Sequence, residues 1–219
     1  MNSDRQLRII RLVNTGESFA VYVTGREEAL EVSPALVHRH RLKEGIVLTE
    51  PQLAQLLAEA ELDRCDRAVA RSLAIREHTT GELRDKLQRK GFSKDVIAAT
   101  LKRFTERGLL DDAHVAAKLV RSSLERNPSG RAYLIAVLRK KKVDRELAEQ
   151  TVDMILSGSD ETELAVASLS KRWSSLRHLE LERARSRAYN YLSRRGIGYS
   201  AARAAFEQLY NREREDSDH

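Results

Sequence analysis

The chain has 219 residues, 41% apolar, 33% charged and only 5% aromatic, with ten glycines and three prolines. That balance suits one or two mostly helical domains or a short repeat array, and argues against one large aromatic core. Lys plus Arg outnumber Asp plus Glu by 39 to 33, a basic excess that favours polyanionic partners. No run of about 18 apolar residues could span a bilayer, Met1–Arg5 has no signal-peptide character, and the lone Cys65 cannot form an internal disulfide. These features predict a cytoplasmic protein.

Residues 7–48 read as a small antiparallel meander. Leu7–Val13 is rich in β-branched residues, and Ser18–Val23 and Ala29–Val32 follow as short runs separated by Gly16 and Gly25 turns. Ser33 and Pro34 then open a short helix to about Arg39. Glu44-Gly45 makes a turn before Ile46–Leu48. Thr49 and Gln52 form a capping-box pattern ahead of a helix carrying Leu53, Leu56 and Leu57. Between Ala60 and Arg64 the sequence leaves open where that helix ends and the next begins.

From Cys65 onward the apolar spacing is helical, and one motif is written three times. Leu87-Gln88-Arg89-Lys90-Gly91-Phe92, Leu138-Arg139-Lys140-Lys141-Lys142-Val143 and Leu192-Ser193-Arg194-Arg195-Gly196-Ile197 lie 51 and then 54 residues apart. Each is preceded by an inward stripe four residues earlier: Leu83, Leu134 and Ala188. Each predicts helix, polar turn, helix, Gly-type turn, helix.

Ala68, Leu73 and Ile75, then Ala113, Ala116, Leu119 and Val120, then Leu164, Ala167 and Leu169 mark the first helices. Thr79 or Thr80, Ser93 and Asp144 are candidate caps. Val96, Ile97, Leu101 and Phe104, then Leu147, Val152 and Ile155, then Ala201, Phe206 and Leu209 mark the third helices. Such units cannot bury much alone, so tandem stacking is expected.

The expected fold is mainly α: three tandem three-helix repeats in an elongated, curved array behind a small β-rich segment. The boundaries are 1–62 for the β-rich segment and its helix, 63–110, 111–158 and 159–210 for the repeats, and 211–219 for a polar, disordered tail.

These residues resemble the RecX family, bacterial regulators of the RecA recombinase. Glu82-Leu83-x-x-x-Leu87-x-x-Lys90-Gly91-Phe92 and Arg107-Gly108-Leu109-Leu110-Asp111-Asp112-x-x-Val115-Ala116 carry the likeness. Arg195-Gly196-Ile197 supports it, as do Ala20–Val23 and Leu42–Thr49 in the leader. It covers about residues 7 to 210. Lys142 departs from the pattern, standing where the other copies have Gly. The resemblance implies a monomeric, non-enzymatic regulator that needs no cofactor. It would bind RecA as a filament on DNA and suppress its ATPase, strand exchange and co-protease activities, in homologous recombination, DNA repair and the SOS response. The alternative is a sequence-nonspecific nucleic-acid-binding helical-repeat protein, which would bind RNA or single- or double-stranded DNA directly.

The candidate binding residues are the cations of the three second helices: Arg84, Lys86, Arg89 and Lys90; Arg131, Arg139, Lys140, Lys141 and Lys142; Arg185, Arg187, Arg194 and Arg195. A stripe of them would suit a phosphate backbone or an acidic protein groove. Cations at helix C-termini also complement the macrodipole. Tyr133, Tyr189 and Tyr191 lie near these clusters and could stack on bases, or simply pack. Trp173 is either an exposed anchor or a plug between the second and third repeats. Asp111-Asp112 with His114 reads as a cap more readily than a metal site, His38-x-His40 is a weak ligand pair, and Cys65 is an ordinary thiol. No phosphate loop, nucleophile elbow or zinc spacing is present.

Overall fold

A computed structural model describes residues 7–217. The chain forms two units. One runs up to His78 and includes Leu83–Leu110; the other takes Thr79–Glu82 and everything from Asp111 onward.

The first unit begins with β1 (Leu7–Asn14), β2 (Phe19–Val23), β3 (Leu30–Val32), α1 (Pro34–Arg39) and β4 (Val47–Leu48). The strands form one antiparallel sheet in the order β3-β2-β1-β4, with a register shift between Ile9 and Arg11. Alternation sets the faces: Val21 and Val23 are buried while Tyr22 between them is exposed. Ser33 caps α1 through the Leu36 amide, with Pro34 in its first turn.

α2 (Glu50–Ile75) follows, with both halves of the Thr49–Gln52 capping box formed. It is one helix of 26 residues. The boundary expected at 62/63 therefore falls inside a continuous helix, because no Gly or Pro interrupts it there. Leu53, Leu56 and Ala60 close the core under the sheet with Ile9, Val21, Val32 and Leu36. Cys65, Ala68 and Val69 close a second core with α3 (Thr80–Arg89) and α4 (Lys94–Glu106), through Leu83, Leu87, Ile97, Leu101 and Phe104. Ile75, which marks this helix in the sequence, is 81% exposed at its end.

The second unit holds α5 (Asp112–Arg126), α6 (Arg131–Lys140) and α7 (Arg145–Leu156), then α8 (Glu161–Trp173), α9 (Leu181–Arg194) and α10 (Tyr199–Ser217). Ala116, Val120, Leu134, Leu138, Ala148 and Val152 form one core. Ala165, Leu169, Ala188, Leu192, Ala205 and Phe206 form the other. Ala113 and Ala167 face outward, and Ala165 takes the inward place instead. Trp173 neither protrudes nor plugs a join between repeats. It is buried in the last core, its ring edge-on to Phe206 at 5.6 Å between centroids.

The polar residues from Asn211 do not begin a disordered tail, since α10 continues through them to Ser217. Glu213 gives the extension a role in packing: it accepts from Trp173 Nε1 at 3.2 Å and from Arg177 at 3.0 Å. Asp218 and His219 lie outside the described residues.

The thrice-written motif becomes one helix ending built three times. The amides of Phe92, Val143 and Ile197 donate to the carbonyls of Leu87, Leu138 and Leu192 at 3.3, 3.1 and 3.1 Å. Those of Gly91, Lys142 and Gly196 donate to Gln88, Arg139 and Ser193 at 3.0, 2.9 and 2.9 Å. This is the Schellman pattern, which needs a left-handed residue before the final apolar one. Gly91 and Gly196 supply it at φ 84° and 68°, and Lys142 supplies it at φ 59°.

Candidate partner-binding surface

The candidate cations divide by what holds them. In the first unit Lys86 donates to Ser72 Oγ at 2.8 Å and Arg89 to its own helix at the Asp85 carbonyl, 3.2 Å. Arg84 is exposed. Lys90 is exposed beside a cleft of about 260 Å³ that Arg64, Arg67, Arg71, Phe92 and Glu31 also line. The three arginines recur at helical spacing along α2, a signal present in the sequence that the focus on second helices passed over. Acids occupy two of them: Arg67 meets Asp63 and Glu31, and Arg71 meets Glu17.

In the second unit Arg131 forms a forked pair with Asp153, at 2.5 and 2.8 Å. That pair holds the Asp153 carboxyl below its usual range, chiefly through the hydrogen bond. Arg185 pairs with Glu182 at 2.8 Å and lies over the Phe206 ring. Lys141 reaches Glu82 at 3.2 Å. These three cations are engaged within the fold. Arg139, Lys140, Arg187 and Arg194 are exposed and make no ion pair among the described residues.

Thr79–Glu82 pack against the end of α6, and the chemistry explains Lys142. Thr79 and Glu82 form a capping box for α3, and the Thr79 hydroxyl also donates to the Lys141 carbonyl at 2.6 Å. Gly81 lies so close that a Cβ there would stand 2.2 Å from the Lys142 carbonyl oxygen and 2.6 Å from its Cβ. At the end of α9 the equivalent carbonyl, that of Arg195, accepts from the Gly130 amide at 2.8 Å. There both partners are glycine: a Cβ on Gly130 would stand 2.1 Å from the Gly196 carbonyl oxygen, and one on Gly196 would stand 2.6 Å from the Tyr133 amide nitrogen. The contact at the end of α6 thus accommodates the Cβ of Lys142 opposite Gly81, whereas the contact at the end of α9 has glycine on both sides.

Arg195 is set among aromatic rings. Its guanidinium carbon lies 5.0 Å from the Tyr133 centroid and 5.7 Å from that of Tyr191. Arg172, which stands outside the second-helix clusters, lies 4.9 Å from the same Tyr191 ring. The Tyr191 hydroxyl is tied to Asn127 and Ser168. Burial raises the Tyr191 pKa, but those hydrogen bonds and the field of Arg195 and Arg172 outweigh it, leaving the phenol below its ordinary value. These two rings therefore hold cations. Tyr189 packs edge-on against Tyr199 and Phe206.

The other candidates have structural partners. Asp111 caps α5 through the His114 amide, and Asp112 accepts from the Thr80 amide and hydroxyl. His40 meets Glu59 at 2.9 Å. Cys65 is fully buried, and desolvation pushes its thiol pKa up, which suppresses the thiolate. Among the described residues no cluster of three or more His, Cys, Asp or Glu could hold a metal, and no helix is long and apolar enough to cross a membrane.

A β-rich leader followed by repeated three-helix modules with basic second-helix ends defines a class of helical-repeat binding protein. Residues 67–104 match the family model for the first three-helix domain of RecX. The regulatory protein RecX of Pelodictyon phaeoclathratiforme is 31% identical over 137 residues, which cover 63% of this chain and 83% of that one. The RecX protein of Bacillus subtilis is 25% identical over 202 residues, covering 92% and 76%. A crystal structure of a regulatory protein RecX superposes with a TM-score of 0.66 at 20% identity, over 92% of this chain and 99% of that one, a likeness of fold. The chain belongs to the RecX family of regulatory proteins.

Proposed function

We propose that this protein regulates the RecA recombinase. As a monomer in the cytoplasm, it binds the RecA filament on DNA and suppresses its ATPase, strand exchange and co-protease activities without catalysis of its own. Family membership supports the regulatory role. The observation that carries the binding mode is the set of exposed cations at repeated helix ends, Arg139 and Lys140 on α6 with Arg187 and Arg194 on α9. Charges of this kind, not engaged by acids among the described residues, are available to an anionic surface. To inhibit, the protein must bind the arrested or dissociating filament better than the active one, because only differential affinity shifts an equilibrium.

The test is RecA ATPase on single-stranded DNA with this protein titrated in below stoichiometry. The rate should fall, and Arg139→Glu/Lys140→Glu should weaken that inhibition while leaving the helical spectrum intact. Lys141 is left unchanged because a glutamate there would face Glu82. No fall in rate with equimolar folded protein would overturn the reading.

A further inference from the structure

Tyr191 on α9 carries two guanidiniums, Arg172 from the end of α8 and Arg195 from just beyond α9. They lie 4.9 and 5.7 Å from one ring centroid, so their guanidinium carbons are at most 10.6 Å apart. Neither makes an ion pair among the described residues. Other arginines of the unit do: Arg131 with Asp153, Arg177 with Glu213, Arg203 with Glu207. Two like charges on one ring, without a counter-charge among the described residues, repel each other to the extent that solvent does not screen them, and an anion that joins them relieves that repulsion.

The arrangement is also fixed in advance. Tyr191 is anchored at its hydroxyl by Asn127 at 3.0 Å and Ser168 at 3.3 Å. Lys171 ties the end of α8 to the Glu125 and Arg126 carbonyls at 3.4 and 2.9 Å. Arg195 is bracketed by a second ring, Tyr133, and its own carbonyl is bound by the Gly130 amide. Ring contact uses the flat face of a guanidinium and leaves its N–H edge to donate, which is the geometry that recognises phosphate oxygens.

The geometry points to a phosphate clamp: Arg172 and Arg195, held against Tyr191, grip the backbone of a nucleic-acid strand. The ring is covered by cations, so the contact is to phosphate and is blind to the bases. A carboxylate surface on a protein would offer charge as well. A strand is favoured because it supplies regularly spaced anions across such a span, about 3.4 Å of rise per phosphate in duplex DNA, and because the whole chain is basic.

The experiment uses the full chain and fluorescent oligothymidylate, with anisotropy titrations over a salt series and no recombinase present. The wild type should bind oligothymidylate and oligoadenylate alike. Arg172→Gln/Arg195→Gln should bind several-fold more weakly and lose about 0.7 from the log–log salt slope for each phosphate contact removed. Tyr191→Leu keeps both charges and should also weaken binding, because the cations are no longer held. A folded double variant with unchanged affinity and slope overturns the clamp. So does a variant that binds oligothymidylate normally yet no longer affects RecA, which would assign the cluster to a protein surface. Failure of the wild type to inhibit RecA would sink the proposed regulation and leave this measurement intact.

Discussion

Three positions, Lys142, Gly81 and Glu59, show how much one residue contributes. Lys142 adopts φ 59°, where a side chain strains the backbone. Lys142→Gly should therefore stabilise the protein by up to about 1 kcal/mol in urea unfolding, offset in part by the freer unfolded chain. Gly81→Ala goes the other way. Alanine favours a helix by about 1 kcal/mol, but its Cβ would sit 2.2 Å from a backbone oxygen, and overpacking of that kind costs about 1–3 kcal/mol. Net destabilisation is expected, and a more stable variant would mean the contact is looser than described. Glu59 gives a pH dependence. Hydrogen bonds from His40 and then Gln55 lower its pKa below the ordinary 4.5. A depressed carboxylate contributes its full stability above its unfolded value and loses it as pH falls through the folded one. The stability gap between wild type and Glu59→Gln should thus be widest near neutrality and close below about pH 4.5; a gap that widens in acid contradicts the assignment.

Two helices differ from their sequence outlines for a shared reason: a long helix serves more than one neighbour. α2 has its first half under the sheet and its second half in the next core, so its apolar pattern changes face midway and resembles two helices. Leu56 is 1% exposed in the first of these cores. Leu56→Ala should cost about 2–5 kcal/mol, read as a lower urea midpoint. α10 looks too polar beyond Tyr210 to be ordered, yet Glu213 holds Trp173 and Arg177. Ending the chain after Tyr210 should shift the emission of Trp173, the sole tryptophan, and lower stability by about 1–2 kcal/mol. Unchanged emission would show that the last turns of α10 do not hold the indole.

At the scale of the molecule, four apolar clusters among the described residues replace a single core, each closed by elements that follow one another in the chain. Local closure is what a repeat protein requires, since each module packs mainly with its neighbours. Both clusters of the second unit lie wholly after Asp111. A fragment of residues 111–219 is therefore expected to give a helical circular dichroism spectrum and a cooperative urea transition. A fragment with neither would show that these two cores need the rest of the chain.

The features legible in the chain alone are local. The Leu stripes, the capping boxes, the strand alternation and the left-handed helix ends all depend on residues within a few positions of each other, as does the family likeness. Even the departure at Lys142 was visible, though its neighbour Gly81 was not. Folding in three dimensions sets which cations are engaged and which are available. Lys141 and Arg139 read alike in the chain, but Glu82, 59 residues away, takes the first. Tyr191 is anchored by Asn127, 64 residues away, and Arg172 joins it from another helix. Charge and hydrogen bonding act through space over a few ångströms, and no spacing along a helix records which distant side chain will arrive there.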